Sequence, residues 1–149
     1  MVTQFQNVGN GAYLGLEGSL SARLSSQITA GGNFTWIAQR FHVPGGTVYK
    51  PTDTPTDKVV LYADWTPIER LHVQPDLEIA SDRWEVNAAS TGYQRDGAFR
   101  LLNARVAYDF PQGVELALGA RNLLDQNYQL AVGYPEPGRS VFLSARYKY

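Results

Sequence analysis

The chain has 149 residues, 13 basic and 14 acidic, with a net charge of -1 and no cysteine. That balance provides no field to gather nucleic acid or anionic lipid, and the missing thiols exclude disulfides, thiolate catalysis and Cys-ligated zinc. No run of about 18 apolar residues exists, which excludes a transmembrane helix but not a barrel, whose strands need only about 9–11 residues with alternate positions apolar.

The opening Met1-Val2-Thr3-Gln4-Phe5-Gln6 has no basic n-region and no apolar h-region, so an export signal is expected to lie outside this chain. From there, alternation with a period of two runs along the whole sequence and predicts strands rather than helices. Over 11–24, Ala12, Leu14, Leu16, Leu20, Ala22 and Leu24 oppose Tyr13, Glu17, Ser19, Ser21 and Arg23. Ser25-Ser26-Gln27 is a short turn. Over 28–41, Ile28, Ala30, Phe34, Trp36 and Ala38 oppose Thr29, Asn33, Thr35 and Gln39. A long Pro/Gly/Thr loop covers 42–56, and 58–66 sets Val59, Leu61, Ala63 and Trp65 against Tyr62 and Asp64.

After a turn at Pro67-Ile68-Glu69-Arg70, the stretch 71–83 sets Leu71, Val73, Leu77 and Ile79 against His72, Gln74, Asp76, Glu78 and Asp82. Pro75 cannot donate to a ladder, so a bulge is expected there. A second long loop covers 85–98. Over 99–110, Leu102, Ala104, Val106, Tyr108 and Phe110 oppose Asn103, Arg105 and Asp109. Pro111-Gln112-Gly113 turns the chain into 114–121, where Val114, Leu116, Leu118 and Ala120 oppose Glu115 and Arg121. A third long loop covers 122–138. The final strand, 139–149, sets Val141, Leu143, Ala145, Tyr147 and Tyr149 against Phe142, Ser144, Arg146 and Lys148.

Seven strands result, joined by connections that alternate between short and long. The long ones far exceed the usual length of about 4–6 residues. Tight turns on one rim and long loops on the other are the pattern of a membrane barrel, and the mixed charges of the polar face suit a wet interior. Tyrosine (9) outnumbers phenylalanine (6) and tryptophan (3), which suits interfacial girdles, although many soluble β proteins are Tyr-rich as well. A soluble β-sandwich with a two-sided core would share the periodicity, so the direction in which the apolar residues point separates the two.

The stretch Gly119-Ala120-Arg121-Asn122-Leu123-Leu124-Asp125-Gln126-Asn127-Tyr128 resembles the penultimate-strand motif of TonB-dependent outer-membrane receptors, N-L-[FL]-D-x-x-Y. Pro135-Glu136-Pro137-Gly138-Arg139-Ser140-Val141 resembles that family's P-x-x-G-R entry to the last strand, and Gly15-Leu16-Glu17 resembles its G-[LVI]-E strand. The residues carrying the likeness are Gly15, Glu17, Asn122, Leu123, Asp125, Tyr128, Gly138 and Arg139. Their expected roles are structural. Asn and Asp form side-chain turns, Gly138 allows a backbone that a Cβ would hinder, and Arg139 stands on the inner face and pairs with a carboxylate. Tyr147 and the terminal Tyr149 resemble the signal read by the barrel-assembly machinery.

The resemblance implies an all-β, antiparallel transmembrane β-barrel segment of about seven strands, with short periplasmic turns and long extracellular loops. Residues 1–149 would be the C-terminal part of a receptor barrel, with the plug domain, the TonB box and the earlier strands outside the chain. It implies the outer membrane of a Gram-negative bacterium, and uptake of a scarce nutrient, a ferric siderophore first and cobalamin second. The implied partners are outer-membrane lipid, the rest of the barrel and plug, the TonB complex and the barrel-assembly machinery, with no nucleic acid. A small passive outer-membrane barrel and a soluble β-sandwich binding module are the alternatives.

Enzymatic chemistry has no support in the residues. His42 and His72 lack metal-ligand spacing. Gly9-Asn10-Gly11 with Gly15 lacks the helix of a phosphate loop, and no Ser/His/Asp arrangement stands out. Asp76, Glu78 and Asp82 share a face that reads as a hydrated wall rather than a Ca²⁺ or general-acid site. No catalytic residue, metal or cofactor is expected. For ligand capture the loop candidates are Tyr49, Tyr93, Arg95 and Tyr134, with Lys50 and Arg139 beside them.

Overall fold

The computed structural model describes residues 9–43, 45, 49–87, 89 and 91–148. Seven long strands form one antiparallel sheet: β1 (Asn10–Arg23), β2 (Ile28–His42), β3 (Asp57–Trp65), β4 (Leu71–Ala80), β7 (Phe99–Asp109), β8 (Val114–Arg121) and β11 (Ser140–Tyr147). Four short strands sit in the loops as two hairpins, β5 (Arg83–Val86) with β6 (Tyr93–Asp96) and β9 (Gln129–Ala131) with β10 (Tyr134–Pro135). Each long strand pairs with the next in chain order, and the sheet stays open, with β1 and β11 as its edges.

The register turns the sequence alternation into two faces. Leu16 lies opposite Trp36, Phe34 opposite Val59, and Val59 opposite Ile79. Leu77 lies opposite Leu102, Val106 opposite Leu118, and Leu118 opposite Leu143. Every strand therefore contributes apolar side chains to one unbroken face. A slip of one residue in any pair would turn that strand's apolar set to the wrong side.

That face is bare. Leu143 is 78% exposed and Leu20 74%, and Leu14, Leu16, Phe34, Leu61, Val106, Leu116, Leu118 and Val141 are exposed as well. Among the described residues no second sheet covers them. This is not the dry, two-sided core of a sandwich, and it exceeds the few hundred Å² of apolar patch that a soluble monomer normally shows. From Ile28 to Ala38 the apolar stretch of β2 runs about 34 Å along the strand. At a tilt of about 40° it rises about 26 Å, close to the apolar band of about 25 Å on a membrane barrel.

The opposite face carries cross-linked polar pairs beside a small apolar core of Ala80, Phe99 and Leu101. Lys58 Nζ lies 2.8 Å from Glu78 Oε1, and Arg105 bridges Gln74 Oε1 at 2.9 Å and Glu115 Oε1 at 2.6 Å. Asn103 donates to Asp76 Oδ2 at 2.7 Å, and His72 Nδ1 lies 3.1 Å from Asp64 Oδ1. These pairs cross strand boundaries, so they hold neighbouring strands in register.

The short turns fall at one rim. Ser25 Oγ accepts from the backbone N–H groups of Gln27 and Ile28, both at 3.1 Å. Gly113 sits at φ +79°, a conformation that favours glycine, and donates to the Phe110 carbonyl.

Pro75 corrects an expectation. The pairing of β4 with β7 is continuous through Pro75, opposite Ala104, and the register of β3 with β4 is the same on both sides of the proline. No bulge forms. The ladder instead omits Ala63–Pro75 and Asp64–Gln74, the two pairs that depend on a donor at position 75. The missing N–H costs one hydrogen bond without shifting the strand.

Candidate functional site

The long connections all leave the rim opposite the tight turns, and they fold onto one another. Thr52 bridges to Trp84, and the Asp53 N–H donates to the Trp84 carbonyl at 3.0 Å, joining the first loop to the β5–β6 hairpin. Arg83, 4% exposed, reaches Glu85 at 3.0 Å, Asp96 at 2.6 Å and the Gln129 carbonyl at 2.6 Å, joining that hairpin to the third loop. A buried guanidinium facing two carboxylates and a carbonyl has its charge compensated.

A cleft of about 530 Å³ opens between this loop cluster and the upper inner wall. Tyr13 and Phe41 line it from β1 and β2, with ring centroids 5.7 Å apart in an edge-on arrangement. Tyr49 and Lys50 enter from the first loop and Tyr93 from the hairpin. Lys50 Nζ lies 3.3 Å from the centroid of the Trp84 ring, and Arg95 Cζ lies 4.6 Å from the same ring. Three tyrosines, one phenylalanine and a lysine offer broad apolar contact, hydroxyl donors and one positive charge.

Of the loop candidates, Tyr49, Tyr93 and Lys50 meet in this cleft. Arg95 lies in the adjoining groove, paired with Asp82 and stacked at Trp84. Tyr134 projects from the β9–β10 hairpin, 75% exposed, and does not line the cleft. Tyr13, Phe41, Trp84 and Arg83 are additions that the sequence did not single out. A partner 46 positions from Arg83 leaves no local signal.

Two groups in this loop region are shifted. Burial first, then the neighbouring Asp53 carboxyl, pushes Glu85 above its ordinary 4.5, against the pull of Arg83. Burial first, then the charges of Glu136 and Glu78, pushes Tyr128 above 10.0.

The residues from 122 to 140 form a separate latch. Asn122, 4% exposed and at φ +50°, accepts from the Gln126 N–H and donates to the Gln126 carbonyl, both at 2.9 Å. Its own N–H donates to Asn103 Oδ1 at 2.9 Å. Asp125, at φ +52°, accepts from the Arg139 N–H at 2.8 Å. Tyr128 stacks on Phe99 at 5.0 Å against the small core of Ala80, Phe99 and Leu101, and Leu123 donates to the Leu102 carbonyl at 2.8 Å.

Two expected roles change here. Gly138 is not needed for an unusual backbone angle; an added Cβ would stand 2.8 Å from Asp125 Oδ1, so the requirement is space. Arg139 shares the parity of the outward-facing Val141 and Leu143. Among the described residues its side chain makes no ion pair, and its backbone N–H is what it contributes. Gly15 and Glu17 lie on the inner face of β1, opposite Ile37 and Thr35. Tyr147 is opposite Val114 on the outer face, and Tyr149 lies outside the described residues.

A family model described as TonB dependent receptor-like, beta-barrel, matches residues 1–123. The chain belongs to the TonB-dependent receptor β-barrel family. Solved structures give the same fold to this receptor segment. It is similar to FpvAI in its complex with pyocin S2 (16% identity, TM-score 0.76, 93% of this chain and 19% of that chain). It is similar to the ferric citrate transporter FecA in its unliganded form (22% identity, TM-score 0.76, 92% and 24%). A third likeness is to the ferric-catecholate import receptor Fiu from K12 E. coli (18% identity, TM-score 0.73, 92% and 21%). The receptor segment thus spans about a fifth to a quarter of those chains. No match was found among curated proteins.

Proposed function

We propose that this chain is the C-terminal wall of an outer-membrane receptor that takes up a scarce nutrient by TonB-dependent transport. The plug, the TonB box and the other strands would belong to the remainder of that receptor. The observation that carries this reading is the single bare apolar face running across all seven long strands, backed by a cross-linked polar face. Hydrocarbon suits the first and a hydrated lumen the second. The long-loop rim then faces outward, the tight turns face the periplasm, and the last strand, with Tyr147 and Tyr149, is offered to the barrel-assembly machinery. The role is transport, not catalysis.

The cleft lined by Tyr13, Phe41, Tyr49, Lys50 and Tyr93 is the capture surface for the nutrient. Its aromatic lining and its lysine favour a compact chelate of negative charge, so a ferric siderophore is preferred to cobalamin. In the full-length receptor, replacing Tyr49, Lys50 and Tyr93 together with alanine should weaken binding of the transported chelate by at least about tenfold, since each is an aromatic or cationic contact in one site. Unchanged affinity in a correctly assembled barrel would remove the cleft from the reading. Preferential capture of cobalamin over ferric chelates would overturn the substrate class.

A further inference from the structure

The charged groups of the outward face are sorted to one end. Along the seven long strands, outward positions carry charge only beside the long loops. Arg40 on β2 lies opposite Ala12, Asp57 on β3 opposite Trp36, and Arg100 on β7 opposite Ile79. His42 follows Arg40, and Arg139 stands just before β11 with the parity of Val141. Each arginine is one outward position beyond the apolar band, next to Ala38, Leu102 or Val141. The tight-turn end of the same face carries Trp65, Tyr108 and Tyr147 and no charge. The net charge of -1 hides this segregation. Arg40, Arg100 and Arg139 are exposed, and among the described residues none of them forms an ion pair. Arg100 also borders a recess of about 500 Å³, lined by the outward Val59 and Ile79 and by Ser81, Gln126 and Asp57. Apolar and polar linings meet there, as acyl chain and headgroup do in a lipid.

We propose that Arg40, Arg100 and Arg139 form a docking row for anionic, phosphate-bearing lipid headgroups in the leaflet on the long-loop side. This assignment rests on the reading that the bare face meets lipid, and it does not depend on what the receptor transports. A guanidinium takes two phosphate oxygens at once, while its apolar stem lies along the edge of the hydrocarbon and its head reaches the phosphates. Arg40 and Arg100 are three strands apart, and Arg100 and Arg139 two. At about 4.8 Å per strand the lateral gaps are about 14 Å and 10 Å, so each arginine meets a separate headgroup. Three guanidiniums against the single outward carboxylate of Asp57 select negative charge. The opposite leaflet meets neutral aromatics, which sit at an interface whatever its charge. The row thus sets which leaflet the long-loop end occupies and how deep the wall sits.

Photo-crosslinking of the full-length receptor in phosphatidylcholine bilayer discs tests it. A trace lipid carries a reactive group beside its headgroup, phosphatidylglycerol in one arm and phosphatidylcholine in the other, and adducts are mapped on peptic peptides by mass spectrometry. Peptides holding Arg40, Arg100 and Arg139 should be labelled roughly fivefold more by phosphatidylglycerol than by phosphatidylcholine. Peptides holding Trp65, Tyr108 and Tyr147 should be labelled equally by both. Arg40→Gln, Arg100→Gln and Arg139→Gln should each abolish the preference at their own peptide and leave the other two. A preference missing at the arginine peptides, or one that survives substitution at its own site, overturns the proposal. A third arm, with the reactive group at the acyl-chain end, should label peptides around Leu118. Failure there removes the membrane reading itself, whereas labelling there without a charge preference at the arginines removes only the docking row.

Discussion

The ring of Phe142 occupies the space that a side chain on Gly119 would need. The two residues face each other directly across β8 and β11 on the inner wall, and a Cβ on Gly119 would run into the ring edge. Arg121 Cζ lies 5.4 Å from the same ring, so the aromatic covers a bare stretch of backbone and also supports a cation. An aromatic laid across a glycine in the neighbouring strand pins the register of a pair.

Gly119→Ala should therefore destabilise the assembled barrel by about 1–3 kcal/mol through overpacking. Phe142→Ala opens the space, so the double variant should cost less than the sum of the two single ones. A thermodynamic cycle from urea titrations of the full-length receptor in lipid measures the coupling. Additive costs would show that the ring and the glycine do not depend on each other.

Leu118 tests which face meets hydrocarbon. It is 56% exposed and stands between Val106 and Leu143 on the apolar face. Leu118→Arg should cost about 2–4 kcal/mol near the bilayer midplane, read as loss of the heat-modifiable folded band in outer membranes. The same change at Ser144, on the inner face opposite Ala117, should be well tolerated.

The latch after β8 should be sensitive at its smallest member. Gly138→Ala places a methyl group against Asp125 Oδ1, with an expected cost of about 1–3 kcal/mol. Asn122→Ala leaves the half-buried N–H and carbonyl of Gln126 without their side-chain partner and should cost about 1–3 kcal/mol. Both should raise proteolytic cleavage within 123–137 of the full-length receptor while leaving the seven-stranded wall resistant.

Tyr128 supplies a pH test outside the membrane span. Its folded value is raised above 10.0 by burial, with Glu136 and Glu78 adding to the effect. The contribution is complete below pH 10.0 and disappears as pH climbs through the raised folded value. Tyr128→Phe should remove that alkaline component from the stability profile while preserving the stacking on Phe99.

The seven long strands were legible because each one has a wet face and an oily face, and a period of two records both. Their observed bounds depart from the sequence reading by a few residues at most, as at Arg83, which begins the loop hairpin β5 rather than ending β4. The hairpins β5–β6 and β9–β10 were hidden because strands of four residues or fewer carry too little alternation to register. The fate of Asp76, Glu78 and Asp82 could not be read from their shared parity. Asp76 meets Asn103, Glu78 meets Lys58, and Asp82 leaves the sheet to meet Arg95, so a local cluster dissolves into three long-range pairs. Among the candidate site residues, Tyr49 and Tyr93 could be named as loop aromatics. Their meeting with Tyr13 and Phe41 depends on how the loops fold back over β1 and β2, which no spacing encodes.

The proline at position 75 has a mechanical consequence. Where the other pairings along that seam close normally, β3 and β4 are stitched with two pairs left out near the tight-turn end, just before Trp65 meets Val73. A pull that peels the wall apart would meet its weakest resistance there. The carbonyl of Ala63, denied its proline donor, is the point from which unzipping would spread.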